Sequence, residues 1–355
     1  MVDTVIDGVS IEGVVTVVPS DIVSFEDDAR RLNFNSSQGN RIKNNVGLNE
    51  RRVVKKGITA LDLGEKACSE LIKGLKNNVE DIGFLIFVTQ TSDHSQPCNA
   101  AILQGRLGFD SSVGTMDINL GCSGYVYGIF TAVSMAKSLD KDVLLVVGDT
   151  LSTQVNPLDS SVSILFGDAA SATLVTPKNG EQMFFDMNTD GTGYESIITP
   201  AGGSRMPQTN KTSIETEDDD GNIRSLNDLK MNGADVFNFA VRTEPAAVKK
   251  LLDYSKVLEQ DIDFFFFHQA NQMILSTIAR RLNIKKDKVP HSIISKYGNQ
   301  SSASIPCVIN ETLHSNESSL VLLSGFGVGL SWASMICRLE LKYCPKPIIW
   351  DQKNE

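Results

Sequence analysis

The sequence is poor in the materials of several common functions. Its six cysteines, at 68, 98, 122, 307, 337 and 344, include no Cys-x-x-Cys pair. That spread suits neither a zinc site nor a disulfide framework. The four histidines share no ligand spacing, so His94, His291 and His314 read as surface or satisfied residues and no metal site is expected. No apolar run approaches the ~20 residues of a transmembrane helix. The first residues, Met1-Val-Asp-Thr-Val-Ile-Asp, lack the basic and apolar regions of a secretory leader. Positive charge is short too: 33 Lys and Arg against 43 Asp and Glu leave a net charge of −10, which argues against general nucleic-acid binding. A cytoplasmic protein with no membrane role is the simplest account. Its 355 residues, 41% hydrophobic and 21% charged, suit a globular enzyme of two domains or one duplicated domain.

What is present centres on one cysteine. Cys122 lies at the join of a strand and an almost wholly apolar helix, in Thr115-Met-Asp-Ile-Asn-Leu-Gly-Cys-Ser-Gly-Tyr-Val-Tyr-Gly-Ile-Phe130. The free N–H groups and dipole of a helix start stabilise a thiolate, so this placement predicts a nucleophile of lowered pKa. A core cysteine packed as a small hydrophobe is the other reading of the same segment.

The chain also repeats itself. Asp81-Ile-Gly-Phe-Leu-Ile-Phe-Val-Thr-Gln resembles Asp261-Ile-Asp-Phe-Phe-Phe-Phe-His-Gln-Ala, an offset of 180. Leu120-Gly-Cys-Ser lies against Tyr297-Gly-Asn-Gln, and Gly148 against Gly325, both at an offset of 177. The short continuous apolar runs are those of strands buried on both faces. The order strand, helix, strand, buried helix, strand occurs twice, which predicts a duplicated α/β domain with halves at 1–176 and 177–355. Duplication puts Cys122 and Asn299 at equivalent points. His268 follows its apolar strand, where open α/β sheets expose functional groups. Between the halves, residues 204–230 are polar and carry Glu217-Asp-Asp-Asp-Gly, a surface excursion that reads as a lid, a dimer contact or a plain solvated loop.

A Cys, a His and an Asn brought together suggest covalent acyl transfer, with the thiolate attacking an acyl carbon and the other two donating to oxygen. Papain-like proteases use the same trio, but buried strands in a duplicated sheet do not look like that fold.

With these motifs in view, the sequence resembles the β-ketoacyl-(acyl-carrier-protein) synthase III branch of the thiolase-fold condensing enzymes, from about Ile42 to Arg338. The resemblance rests on Asn119-Leu-Gly-Cys-Ser-Gly-Tyr, His268-Gln-Ala-Asn, Tyr297-Gly-Asn-Gln-Ser-Ser-Ala-Ser-Ile-Pro and Gly325-Phe-Gly-Val-Gly. Val46-Gly-Leu-Asn-Glu-Arg-Arg, Phe166-Gly-Asp-Ala-Ala-Ser-Ala and Met231-Asn-Gly-Ala-Asp-Val-Phe support it. It implies a five-layered α-β-α-β-α fold and a homodimer. It implies that Cys122 is acylated by a primer thioester and that His268 and Asn299 polarise a malonyl-type thioester, which loses CO2 and condenses. It implies an oxyanion hole from the backbone N–H groups of Cys122 and Val328. The substrates would be thioesters of CoA or an acyl-carrier protein, with no cofactor. Arg280 and Arg281, which head a basic cluster with Lys285, Lys286 and Lys288, match the family's carrier-docking helix. Asp168 reads as a structural turn residue and Cys307 as core.

Several positions depart from the family pattern. Arg41 replaces a tryptophan that grips CoA, while Asn45, Ser160 or its neighbour, and Met273 stand at arginine positions. Gln96 falls where the family places a residue, often phenylalanine, that reaches into the partner subunit's acyl pocket. Val328 replaces the middle glycine of a Gly-Gly-Gly loop. These changes point away from fatty-acid initiation and toward a specialised pathway, and the match of Arg280 and Arg281 points toward a carrier-delivered substrate. A second hypothesis is an acyltransferase that passes the Cys122-bound acyl group to an alcohol or amine without decarboxylation. A third is a non-catalytic subunit of a biosynthetic complex, against which the retained trio argues.

Overall fold

The computed structural model describes residues 2–76, 79–178 and 180–351. Alternation along the buried strands dictates its layering. In Ile82–Val88, Leu85 and Phe87 pack with Leu61 and Leu71 of the helix Ala60–Leu75, while Ile86 and Val88 pack with Val126 and Ile129 of the helix Gly124–Leu139. The strand Phe264–Phe267 repeats the device. Phe265 and Phe267 face Phe239 and Ile274 of the outer helices Gly233–Ser255 and Gln272–Leu282, and Phe266 faces the shared interior. The helices Gly124–Leu139 and Ser304–Thr312 therefore lie between two sheets, and the layers run α-β-α-β-α.

The first sheet has six strands, in the order Ile348–Trp350, Ser10–Pro19, Ala169–Thr176, Asp142–Asp149, Ile82–Val88, Gly114–Ile118. The second has five, in the order Val2–Ile6, Met183–Thr189, Ser331–Glu340, Ser318–Gly327, Phe264–Phe267. Four strands correspond one to one with the same neighbours and the same parallel or antiparallel sense. The repeat read from the sequence is thus a repeat of topology.

Two features differ from that reading. The counterpart of the strand Gly114–Ile118 is not a strand in the second half; the matching segment forms the helix Ser292–Tyr297. Pro290 just before it has no N–H to donate to a ladder, and Phe264–Phe267 offers only a four-residue edge. The ends of the chain also cross over, Val2–Ile6 pairing with Met183–Thr189 and Ile348–Trp350 with Ser10–Pro19. At the first crossing Asp3 stands directly opposite Asp186, and the Lys250 ammonium bonds both carboxylates.

The polar excursion is pinned rather than free. It contains a small hairpin, Thr216–Glu217 against Ile223–Arg224. Arg224 pairs with buried Asp159, Asn156 donates to Glu215, and Ser160 donates to Asn222. Among the described residues no helix is long and apolar enough to cross a membrane.

Candidate active site

Cys122 sits in a turn whose glycines are demanded by close approach. A Cβ on Gly121 would lie 2.0 Å from Gln90 Oε1, and one on Gly124 would lie 2.6 Å from Val88 Cγ1. From the other half, the loop after the strand Ser318–Gly327 closes over the thiol. A Cβ on Gly325 would stand 2.6 Å from the Cys122 carbonyl oxygen, and one on Gly327 would stand 2.8 Å from Sγ. The hydroxyls of Ser123 and Ser331, 2.7 Å apart, tie the halves together beside this contact.

The backbone N–H of Val328 reaches the sulfur. In this loop the left-handed conformation falls on Gly329, at φ 137°, so Val328 is spared the strain that would have excluded a β-branched residue.

His268 follows the strand Phe264–Phe267 directly, held by its N–H to the Ser324 carbonyl at 2.8 Å. Its Nδ1 lies 2.7 Å from Ser304 Oγ, and its ring meets Phe326 edge-on. Burial pushes the imidazole down to about 3, against a backbone contact with Ser301 that pulls the other way, so His268 is neutral at physiological pH.

Asn299 is threaded between the halves. Its N–H donates to Leu165 O at 2.9 Å, and its carbonyl accepts from Gly167 at 3.0 Å. Gly298 before it, at φ 77°, leaves no room for a Cβ, which would meet Leu165 O at 2.9 Å. The side-chain Oδ1 accepts from Ser301 N–H at 3.0 Å, which leaves the Nδ2 donors for the cavity that Asn299 lines.

Cys122, His268, Asn299 and Val328 all line one cavity of about 260 Å³. Leu151, Ile197, Leu229, Met231 and Phe237 make most of its wall apolar, and Met273 stands half-exposed at its edge. None of its lining residues is Lys, Arg, Asp or Glu.

The lowered thiol pKa expected at a helix start is not what this site produces. Burial, reinforced by the negative charge of Asp149, pushes Cys122 up to about 12 against the pull of Val328 N–H and the Ser301 hydroxyl. The helix begins only at Gly124, whose N–H is already taken by the Gly121 carbonyl at 2.7 Å. The sulfur therefore gains little of the helix terminus, and desolvation outweighs the hydrogen bonds it receives.

The remaining expectations divide. Gln96 is exposed and does not line the cavity of its own chain. Arg280 and Arg281 are exposed on the helix Gln272–Leu282 but are not equivalent, since Arg281 donates to the Val241 carbonyl at 2.8 Å. Lys288 is likewise spent on the carbonyls of Gln260 and Ile262. Arg280 borders a separate groove of about 400 Å³ with Lys286 and His291. Arg41 and Asn45 are exposed on the helix Ser36–Val46. Asp168 is fully buried, accepting from Val54 N and Ser152 N, and Cys307 is core.

Three residues of the site escaped the sequence reading: Gln90, Ser301 and Asp149. Asp149 ends the apolar strand Asp142–Asp149 as His268 follows Phe264–Phe267, so the signal of a polar residue at a buried strand's end was there to be used.

Residues 116–191 match the family described as 3-oxoacyl-[acyl-carrier-protein (ACP)] synthase III, and residues 252–339 match its C-terminal part. A β-ketoacyl-[acyl-carrier-protein] synthase III from Clostridioides difficile is 35% identical over 84% of this chain and 90% of its own. One from Natranaerobius thermophilus is 33% identical over 90% of this chain and 96% of its own. The crystal structure of a 3-oxoacyl-(acyl-carrier protein) synthase from Burkholderia xenovorans LB400 superposes with a TM-score of 0.90 at 34% identity, covering 98% of both chains.

Proposed function

Because the chain belongs to the 3-oxoacyl-(acyl-carrier-protein) synthase III family of thiolase-fold condensing enzymes, we propose the following roles for its residues in that condensation. Residues 1–176 supply the nucleophile and residues 177–355 the two polar partners. The Cys122 sulfur attacks the carbonyl of a primer thioester, expels its thiol and keeps the acyl group. A malonyl-type thioester then enters the same cavity. Neutral His268 and the Nδ2 donors of Asn299 bond its thioester oxygen as CO2 departs and charge gathers there. The enolate carbon attacks the acyl-cysteine, whose oxygen is received by the backbone N–H groups of Cys122 and Val328.

The observation that carries this reading is the convergence of Cys122, His268 and Asn299 on one largely apolar cavity from three distant parts of the chain. A neutral imidazole suits an oxygen-polarising donor better than a base. The uncharged lining suits the amide and methylene arm that CoA and acyl-carrier proteins share. It offers no countercharge for the phosphates of CoA. Delivery of at least one substrate by an acyl-carrier protein, with Arg280 as a docking contact, follows from that imbalance. Exposed Gln96 is free to serve a partner subunit's acyl pocket in a homodimer.

The test is intact-mass spectrometry after incubation with a panel of acyl-CoA and acyl-carrier thioesters, beside Cys122→Ala. An acyl mass on the wild type alone, discharged with CO2 release when malonyl-carrier is added, supports the assignment. An adduct that persists in Cys122→Ala removes it.

A further inference from the structure

One polar side chain on the cavity wall has no part in the condensation. Gln90 lines the cavity with Cys122, and its amide rests on the turn that carries the nucleophile. A Cβ on Gly121 would stand 2.0 Å from Gln90 Oε1 and 2.7 Å from its Cδ. The backbone around it is locked. The Gln90 N–H donates to Asp149 Oδ1 at 2.7 Å, the Thr89 N–H to the Ile118 carbonyl at 3.1 Å, and the Thr91 hydroxyl accepts from the Thr150 N–H at 3.0 Å. The amide itself is nearly unused. Oε1 accepts from the Ser301 hydroxyl at a long 3.4 Å, and the two Nε2 hydrogens bond nothing among the described residues.

The other polar side chains of the wall are committed. His268 and Asn299 serve the second substrate, Ser161 donates to Asp159 at 2.5 Å, and Asn271 accepts from the Ile274 N–H at 2.9 Å as a helix cap.

Gln90 also stands at a particular end of the cavity. Leu151, Phe166 and Leu229 are buried and cluster with Leu165, Ile197 and Met231, and the Thr91–Thr150 bond ties the Gln90 segment to the residue before Leu151. Met273, Ile274 and Phe237 come from the outer helices, and Met273 is half-exposed there. The mouth is thus at Met273, and Gln90 belongs to the buried end.

Resting on the reading of Cys122 as nucleophile, we propose that Gln90 selects the primer. The acyl chain on Cys122 runs toward Leu151, and Gln90 Nε2 donates to an oxygen that the chain carries close to its thioester. The preferred primer is therefore a hydroxyacyl or oxoacyl thioester and not a plain hydrocarbon one. The contact with Gly121, the residue before the nucleophile, puts the amide within reach of the first carbons of the chain. A hydrocarbon primer would cover the Nε2 donors and leave them unpaired against an apolar wall, which disfavours it. A carboxylate-bearing primer is disfavoured too, since no Lys or Arg lines the cavity to meet its charge. The hydrogen bonds of residues 89–91 hold the amide in place before substrate arrives, so little ordering cost offsets the bond it makes.

The test is the initial rate of acyl-adduct formation, read by intact mass, from carrier thioesters of butyrate, 3-hydroxybutyrate and 3-oxobutyrate. It compares the wild type, Gln90→Met and Cys122→Ala. The wild type should take at least one of the oxygenated groups about 10-fold or more faster than butyryl, and which one identifies the oxygen as hydroxyl or carbonyl. Gln90→Met keeps the length of the side chain and removes its donors, and should bring the three rates within about 3-fold of one another. The ratio within each protein is the readout, so a general loss of activity does not imitate the effect. A wild type that takes butyryl as fast as both oxygenated groups overturns the selection, however the variant folds. A preference that survives in Gln90→Met overturns Gln90 as its source. No adduct from any donor, or adducts that persist in Cys122→Ala, removes the nucleophile reading and the selection together, whereas Cys122-dependent adducts without preference remove the selection alone.

Discussion

Gly327 presents a bare Cα to the Cys122 thiol: a Cβ built there would stand 2.8 Å from Sγ and 2.7 Å from the cysteine Cβ. The two residues belong to different halves of the fold, so their contact sets the distance between the nucleophile and the Val328 N–H one residue on. Gly327→Ala should therefore strike acylation before it strikes folding. We expect acyl-enzyme formation, followed by intact mass, to fall by about 100-fold, with a stability loss of about 1–3 kcal/mol from overpacking. Full-rate acylation in that variant would show that the loop is not the oxyanion donor.

His268→Ala should separate the two half-reactions. The thiol keeps its Val328 and Ser301 contacts, so acylation persists, while decarboxylation of a malonyl thioester loses its neutral donor. Condensation should fall by about 10²–10⁴-fold, measured as CO2 release against acyl-adduct mass in one preparation. Equal losses in both readouts would contradict the division of roles.

Arg51 and Asp28 form a buried ion pair just behind Asn299. Nε and Nη2 of Arg51 meet the two carboxylate oxygens at 3.1 and 3.0 Å, and Asp28 is fully buried. Gly298 packs against the Arg51 side chain, so the pair supports the turn that carries Asn299. Removing one partner strands a charge, and Arg51→Ala should cost about 3 kcal/mol in urea unfolding. A loss below about 1 kcal/mol would mean that Arg31, the other cation on Asp28, carries the carboxylate alone.

Glu244 gives the stability a pH dependence of definite sign. It is fully buried in the helix Gly233–Ser255, and its carboxyl, which meets the Ser324 hydroxyl, is pushed up to about 8 by burial. Between its ordinary value of 4.5 and about 8 the folded protein holds a proton that the unfolded chain releases. Stability from this group is therefore intact below the lower value and lost as pH rises to the upper. Glu244→Gln keeps the Ser324 bond without a charge. It should match the wild type at pH 4.5 and exceed it by roughly 4 kcal/mol at pH 8 in denaturant unfolding. Parallel curves for the two proteins across that range would place a cation or water beside Glu244.

How much of this was legible beforehand depends on the range of the interactions. Strands such as Ile82–Val88 and Phe264–Phe267 announce themselves because a strand buried on both faces must be apolar throughout, and a repeated topology repeats that pattern. Cys122, His268 and Asn299 stood out because each follows or precedes such an element. The loss of the third strand in the second half was foreshadowed only by Pro290, and the crossing of the chain ends left no local trace, since it depends on which sheet edge lies open.

The sequence by itself determined the layers, the duplication and the identity of the three polar residues, because burial periodicity and glycine at close approaches are local requirements. Only the tertiary structure decided their chemistry. Whether Cys122 is a thiolate or a thiol depends on desolvation by the opposite half, on a carboxylate 27 residues later, and on a serine from the far half of the chain. These are through-space energies, and they exist only once the halves have closed.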